Sequence, residues 1–280
     1  MIKIVKRLLL KICKNMLYLF ITILQFTWQI SNIITTGSAC PSVFFLQKEK
    51  KIAYLQIPKV ANTSIISCIF KADGKNYEDI HIKLIPQRKN ITILLKEFYK
   101  SIEFSEYFKF TFVRNPFTRL VSCYENKYHT DKALLGDTRY FLYYDTYLFG
   151  MLKEDRGFAN FVHKVTKIPV VLADLHFYPQ YNYIYDRSGN KCVDLIGRME
   201  IIDDDWDAIK EKYKLDTLPH INQTKSMNWM DYYDRTTAEL VYKYYEKDII
   251  TFGYEDSYNE LIKCIETKEC QEKLATVKML

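Results

Sequence analysis

No glycine interrupts the stretch Ile57-Pro58-Lys59-Val60-Ala61-Asn62-Thr63-Ser64-Ile65, no two cysteines stand at C-x-x-C spacing, and no basic stripe, internal repeat or low-complexity linker runs through the 280 residues. Each absence excludes something. Without glycine the stretch departs from the nucleotide-triphosphate loop G-x-x-x-x-G-K-[ST], whose glycines let the backbone approach phosphate. The cysteines at 13, 40, 68, 123, 192, 264 and 270 carry no metal-ligand spacing, and an odd number cannot pair completely. They read as thiols rather than a disulfide framework, with Cys68 and Cys123 buried and free. The net charge of +6, from 40 Lys and Arg against 34 Asp and Glu, is mild and scattered. That favours small anionic ligands or membrane headgroups over a nucleic-acid groove, so no nucleic-acid partner is expected. A 48% hydrophobic content is enough for one large domain with a substantial core.

The first 40 residues differ from the rest. Lys3, Lys6, Arg7, Lys11 and Lys14 precede a run from Asn15 to Thr36 without charge. A bilayer span needs about 20 apolar residues, and this run has the length but contains Gln25, Thr27, Gln29, Ser31 and Asn32. A membrane anchor is expected at 1–40, and a basic-flanked interfacial helix is the competing form.

From Lys51 the pattern becomes that of a folded domain, expected to occupy 41–256. Ile52 to Ile57 reads as a strand stopped by Pro58, with a helix from Thr63. A helix is expected around Ile93 to Tyr99, and a strand over Phe108 to Val113. A helix then opens on Pro116, whose missing N–H costs nothing in a first turn. Phe158, Phe161, Val162 and Val165 mark a further helix, Cys192 to Ile196 a strand, and Asp203 to Tyr213 a helix with acids at its positive end. A Lys-rich helical tail, 257–280, is expected to be solvated. Strand-turn-helix units in this order predict an α/β domain. The expected form is a P-loop-like three-layer fold whose central sheet is mainly parallel and flanked by helices.

Two of these units could hold anions. Lys59 leads the first turn into a helix whose N-terminal N–H groups are unpaired. Arg114, at the end of the Phe108 to Val113 strand, stands at the mouth of the second. Both fall at carboxyl ends of strands, where such folds bind ligands. Two anion sites predict a ligand with two separated anionic groups, and no aspartate stands out downstream as a magnesium ligand, so no metal is expected.

Pro58 to Ser64 resembles the 5′-phosphosulfate motif, and Phe112 to Ser122 the 3′-phosphate motif, of the membrane-type carbohydrate sulfotransferases. The resemblance continues through His176-Phe177-Tyr178-Pro179-Gln180, Val193 to Glu200, Leu218-Pro219-His220-Ile221-Asn222 and Phe252-Gly253-Tyr254, in order, over about residues 50 to 256. It implies transfer of a sulfuryl group from 3′-phosphoadenosine 5′-phosphosulfate (PAPS) to a carbohydrate hydroxyl. Lys59 would contact the oxygen bridging phosphate and sulfate. The backbone N–H groups of Val60, Ala61, Asn62, Thr63 and Ser64 would cradle the 5′-phosphate, and Arg114 and Ser122 would hold the 3′-phosphate. Arg198, His220 and Asn222 would line the donor pocket.

The acceptor hydroxyl needs a base. His81, between the two anion motifs, is the first candidate, His176 is either an acceptor-binding residue or the base, and Glu200 is a carboxylate alternative that could instead fix Arg198. A membrane-tethered glycan-binding protein without activity and a nucleotide kinase-like enzyme are the rival readings. Membrane association is expected, on the cytoplasmic side of the inner membrane in a bacterium or in the Golgi lumen as a type II protein in a eukaryote. The sequons at Asn62, Asn90 and Asn222 weigh against a secretory lumen, because a glycan at Asn62 or Asn222 would block the donor site.

Overall fold

A computed structural model describes residues 16, 19–20, 22–35, 42–71, 92–125, 147–152, 157–219 and 228–279. Strands β1 (Val43–Gln47), β2 (Ile52–Leu55), β3 (Thr92–Leu94), β4 (Phe108–Val113) and β5 (Leu195–Arg198) form one sheet in the order β3-β1-β2-β4-β5. Around it run α1 (22–35), α2 (Asn62–Lys71), α3 (Leu95–Phe98), α4 (Pro116–Cys123), α5 (Phe158–Val165), α6 (Tyr181–Ile184) and α7 (Ile202–Tyr213). The chain closes with α8 (Arg235–Tyr244), α9 (Glu246–Phe252) and α10 (Glu255–Met279).

The α/β class is as expected, but the sheet is mixed rather than mainly parallel. Only β2–β4 and β4–β5 are parallel, whereas β1 pairs antiparallel with both β2 and β3. The physical reason is the short link Lys48–Lys51, which closes a β1–β2 hairpin; a parallel neighbour would require a long crossover. Lys51 takes a left-handed φ of 51° in this link, and the Lys50 amide donates to Gln47 Oε1. The segment expected to be helical around Ile93 to Tyr99 begins instead as β3 and turns into α3 at Leu95.

All four residues of β2 are fully buried. Successive strand side chains point to opposite faces, so both faces of the sheet are covered there. On β4, Phe110 and Phe112 pack against Trp206 of α7, with centroids 6.2 and 6.5 Å away. Phe112 pairs in register with Gly197 of β5. A Cβ at Gly197 would lie 2.5 Å from a Phe112 ring carbon, so the aromatic core requires glycine at this position. Cys68 and Cys123 are buried free thiols, as expected. The Lys-rich tail is helical, but its first turns bury Leu261 and Ile265 in the core.

Candidate active site

The parallel strands β2, β4 and β5 deliver their carboxyl ends to one edge of the sheet, and the segments after β2 and β4 carry the two turns expected to hold anions. After β2 the chain turns through Pro58 and enters α2 at Asn62. Lys59 (φ 73°) and Ala61 (φ 59°) both adopt the left-handed conformation that glycine normally supplies. Left-handed residues in a turn direct successive N–H groups to one side, a concave arrangement that suits an anion. Ile65 N–H is bonded to Ala61 C=O, and the N–H groups of Asn62, Thr63 and Ser64, ahead of it, have no carbonyl one turn back within the helix. The Val60 side chain is fully buried, anchoring the turn from below. Asn62 is tied down as well, because its Oδ1 accepts the hydroxyl hydrogen of the buried Tyr54.

After β4, Arg114 precedes the N-cap Asn115, whose side chain accepts from Phe117 N–H at 2.9 Å, and Pro116 opens α4. Neither α2 nor α4 has an acidic residue in its first turn, whereas α7, α9 and α10 all do. No acid within either first turn competes with an anion there, although Glu200, from the segment after β5, accepts the Asn115 N–H at the mouth of α4.

The structure joins the two motifs. Arg114 Nη1 donates to the Lys59 carbonyl at 3.3 Å, and Arg114 Nε donates to Thr118 Oγ1 at 2.9 Å. Thr118 and Ser122 stand four residues apart on α4 and share a face, so the guanidinium lies along the stripe that Ser122 extends. Burial lowers the Arg114 pKa, and the nearby Glu200 carboxylate opposes that shift.

A second arginine of the same motif, Arg119, plays a part that the sequence reading did not assign. It is 2% exposed. Its Nε donates to Pro58 C=O at 3.0 Å, Nη1 to Tyr178 C=O at 2.9 Å and Nη2 to Leu175 C=O at 3.3 Å. One guanidinium thus clamps the lysine-led turn to the segment that carries His176. Nothing adjacent to Arg119 in the sequence signals this role.

His176 lies against Asp174. Asp174 Oδ1 is 2.8 Å from the ring Nδ1 and accepts the His176 backbone N–H at 2.9 Å. The Asp174 side chain is 1% exposed and that of His176 19%. A buried carboxylate on Nδ1 fixes the ring orientation and leaves proton acceptance to Nε2. His163 sits in the last turn of α5, where a cationic group complements the helix dipole.

Glu200 serves as a strut: Oε1 accepts Asn115 N–H at 2.7 Å and Oε2 accepts the Tyr254 hydroxyl at 3.0 Å. Arg198 packs over the Tyr254 ring at 5.6 Å, and its Nη2 would lie 2.9 Å from a Cβ at Gly253 (φ 71°). His81, His220 and Asn222 lie outside the described residues. Among the described residues, no group of three or more His, Cys, Asp or Glu is placed to hold a metal ion.

Residues 42–255 match the sequence profile of the Sulfotransferase family. The chain belongs to the sulfotransferase family. It also aligns, at 26% identity over 189 residues, with mouse (Mus musculus) carbohydrate sulfotransferase 12, covering 57% of this chain and 43% of that protein. The chain therefore spans less than half the length of that relative. No solved structure matches it. The family match begins just before β1 and ends at the start of α10, so it takes in the turns after β2 and β4, Asp174–His176 and the Glu200–Tyr254 strut.

Proposed function

We propose that this sulfotransferase-family chain moves a sulfuryl group from PAPS to a carbohydrate hydroxyl. The observation that carries the reading is the hydrogen bond from Arg114 to the Lys59 carbonyl, which couples two helix N-termini, neither with an acid in its own first turn, into one candidate site for a ligand with two anionic groups. In the reaction the bond between sulfur and the bridging oxygen breaks, and a new bond forms between sulfur and the acceptor oxygen. Negative charge builds on the bridging oxygen, where the Lys59 ammonium is more stabilising in the transition state than before it. The acceptor proton passes to histidine. The Asp174 contact supports His176 for this task, since an oriented ring holds its Nε2 in one direction.

Incubating the protein with PAPS carrying labelled sulfate and a panel of glycans tests the reading. Label is expected on at least one glycan, with release of adenosine 3′,5′-bisphosphate. Donor binding without transfer to any glycan would favour the inactive glycan-binding reading instead.

Membrane attachment through the N-terminal segment belongs to the same proposal. Helix α1 is inverted relative to a soluble helix: Trp28 is 52% and Ile34 78% exposed, while Gln29 is 5% exposed. Leu19, Phe20, Ile23 and Leu24 extend the exposed apolar side. Among the described residues no helix is long and apolar enough to cross a membrane, and an apolar outward face with basic residues upstream suits a helix lying in the interface. Deleting residues 1–40 ends just short of β1 and is expected to leave a folded domain that no longer sediments with anionic vesicles. Retention on vesicles would assign membrane binding to another surface.

A further inference from the structure

Behind Arg114 lies a buried polar chain that none of the motif roles uses. The Gln180 side chain is fully buried. Its Oε1 accepts Arg114 N–H at 2.9 Å while its Nε2 donates to Arg114 C=O at 2.7 Å. The carboxamide thus pairs with both backbone groups of one residue, as a neighbouring strand would, just where the β4–β5 ladder ends at Val113 and Arg198. An amide can be rotated by half a turn at little steric cost, and here that would set N–H against N–H and C=O against C=O. What prevents the flip is Asp248 on α9, also fully buried. Asp248 Oδ2 accepts Gln180 N–H at 2.7 Å and faces Gln180 Nε2 at 3.4 Å, while Oδ1 accepts Tyr181 N–H at 2.7 Å. An ionised carboxylate only accepts, so it selects the rotamer that turns Nε2 toward it.

We propose that Gln180, oriented by Asp248, is a positioning residue that holds the Arg114 backbone so that its guanidinium meets a 3′-phosphate, and that this pair sets the selectivity for 3′-phosphorylated nucleotides. The proposal rests on the reading of Arg114 as the 3′-phosphate site. Arg114 has only two side-chain hydrogen bonds among the described residues, to Thr118 and to the Lys59 carbonyl. Its aim therefore depends on where its Cα is held, and β4 supplies no ladder partner beyond Val113.

The test compares the affinities of adenosine 3′,5′-bisphosphate and adenosine 5′-monophosphate, measured by calorimetry on the full chain. Wild-type protein is expected to prefer the bisphosphate. Gln180→Met, which keeps length and flexibility but neither hydrogen-bonding end, should cut that preference by about tenfold, the scale of one lost buried hydrogen bond. Its affinity for the monophosphate should stay within about threefold. Asp248→Asn should lower the same ratio without touching Arg114. Thr111→Val removes a buried strut from Thr111 Oγ1 to Leu55 C=O, and it should lower the melting temperature while leaving the ratio unchanged. An unchanged ratio in folded Gln180→Met or Asp248→Asn protein overturns the proposal. A wild type with no preference removes the reading of Arg114 itself. Hydrogen exchange on wild-type protein needs no variant: the bisphosphate should protect the Arg114 and Tyr181 amides more than the monophosphate does, and equal protection overturns the positioning role.

Discussion

Lys59→Gly is expected to lower sulfate transfer by about 10²- to 10³-fold, the scale of losing one group that stabilises developing charge, while leaving the protein as stable as the parent or more so. The two halves of this expectation have separate causes. Lys59 holds a φ of 73°, a conformation that costs a residue with a Cβ roughly 1–2 kcal/mol and glycine almost nothing. The fold would accept glycine at position 59, and lysine stands there at a cost to stability. Strain of this kind persists where a side chain is needed for something other than folding. The Lys59 carbonyl still accepts from Arg114 in the glycine variant, so the coupling of the two turns remains. Binding of adenosine 3′,5′-bisphosphate should fall much less than turnover, because the ammonium is assigned to charge that appears during S–O cleavage. A melting temperature that falls together with activity would mean that Lys59 holds the turn rather than the transition state. Equal losses in affinity and turnover would mean uniform binding.

The same turn shows what the chain reveals before it is folded. Its strand, its proline stop and its helix start are local signals, and β2, β4, α2 and α4 form within a few residues of where those signals place them. The Asp203-Asp204-Asp205 cluster likewise sits in the first turn of α7. β1 carries no local signal, because its hairpin link, Lys48-Glu49-Lys50-Lys51, contains none of the glycine or asparagine that marks a tight turn. Without β1 and its two antiparallel pairings, the remaining strand-turn-helix units imply a mainly parallel sheet. β3 has three residues, too few for alternation to show, and it runs directly into α3.

The polar interior was hidden for a different reason. Arg119 and Asp248 are residue types that normally face water, and nothing adjacent to them in the sequence signals burial. Their partners lie far along the chain: Pro58, Leu175 and Tyr178 for Arg119, and Gln180 and Tyr181 for Asp248. Burial raises the Asp248 pKa to about 6, against the opposing effect of the N–H groups of Tyr181 and Gln180. A folded-state value above the unfolded one means that the ionised carboxylate disfavours folding, and that this penalty fades as pH falls below about 6. At neutral pH the ionised form thus carries a cost relative to the protonated one, while it pairs the N–H groups of Gln180 and Tyr181.

His176→Ala is expected to reduce turnover by about 10²- to 10⁴-fold, the usual range for removing a general base, with the affinity for adenosine 3′,5′-bisphosphate nearly unchanged. The role proposed for the ring is to take the acceptor proton, so donor binding should barely respond. The pH profile separates this role from acceptor binding. A histidine must be neutral to take the proton, which gives kcat/KM an acid limb, and that limb should disappear from the residual activity of His176→Ala. Asp174→Asn provides the finer test. Removing the carboxylate beside Nδ1 makes the imidazolium less favourable, so the acid limb should move to lower pH while the maximum rate drops, because the ring loses its fixed orientation. An Asp174 variant with lower activity but an unmoved limb would reduce Asp174 to a structural turn residue. Should His176→Ala only raise the acceptor KM while His81→Ala abolishes both turnover and the acid limb, the base is His81 and His176 belongs to the acceptor site.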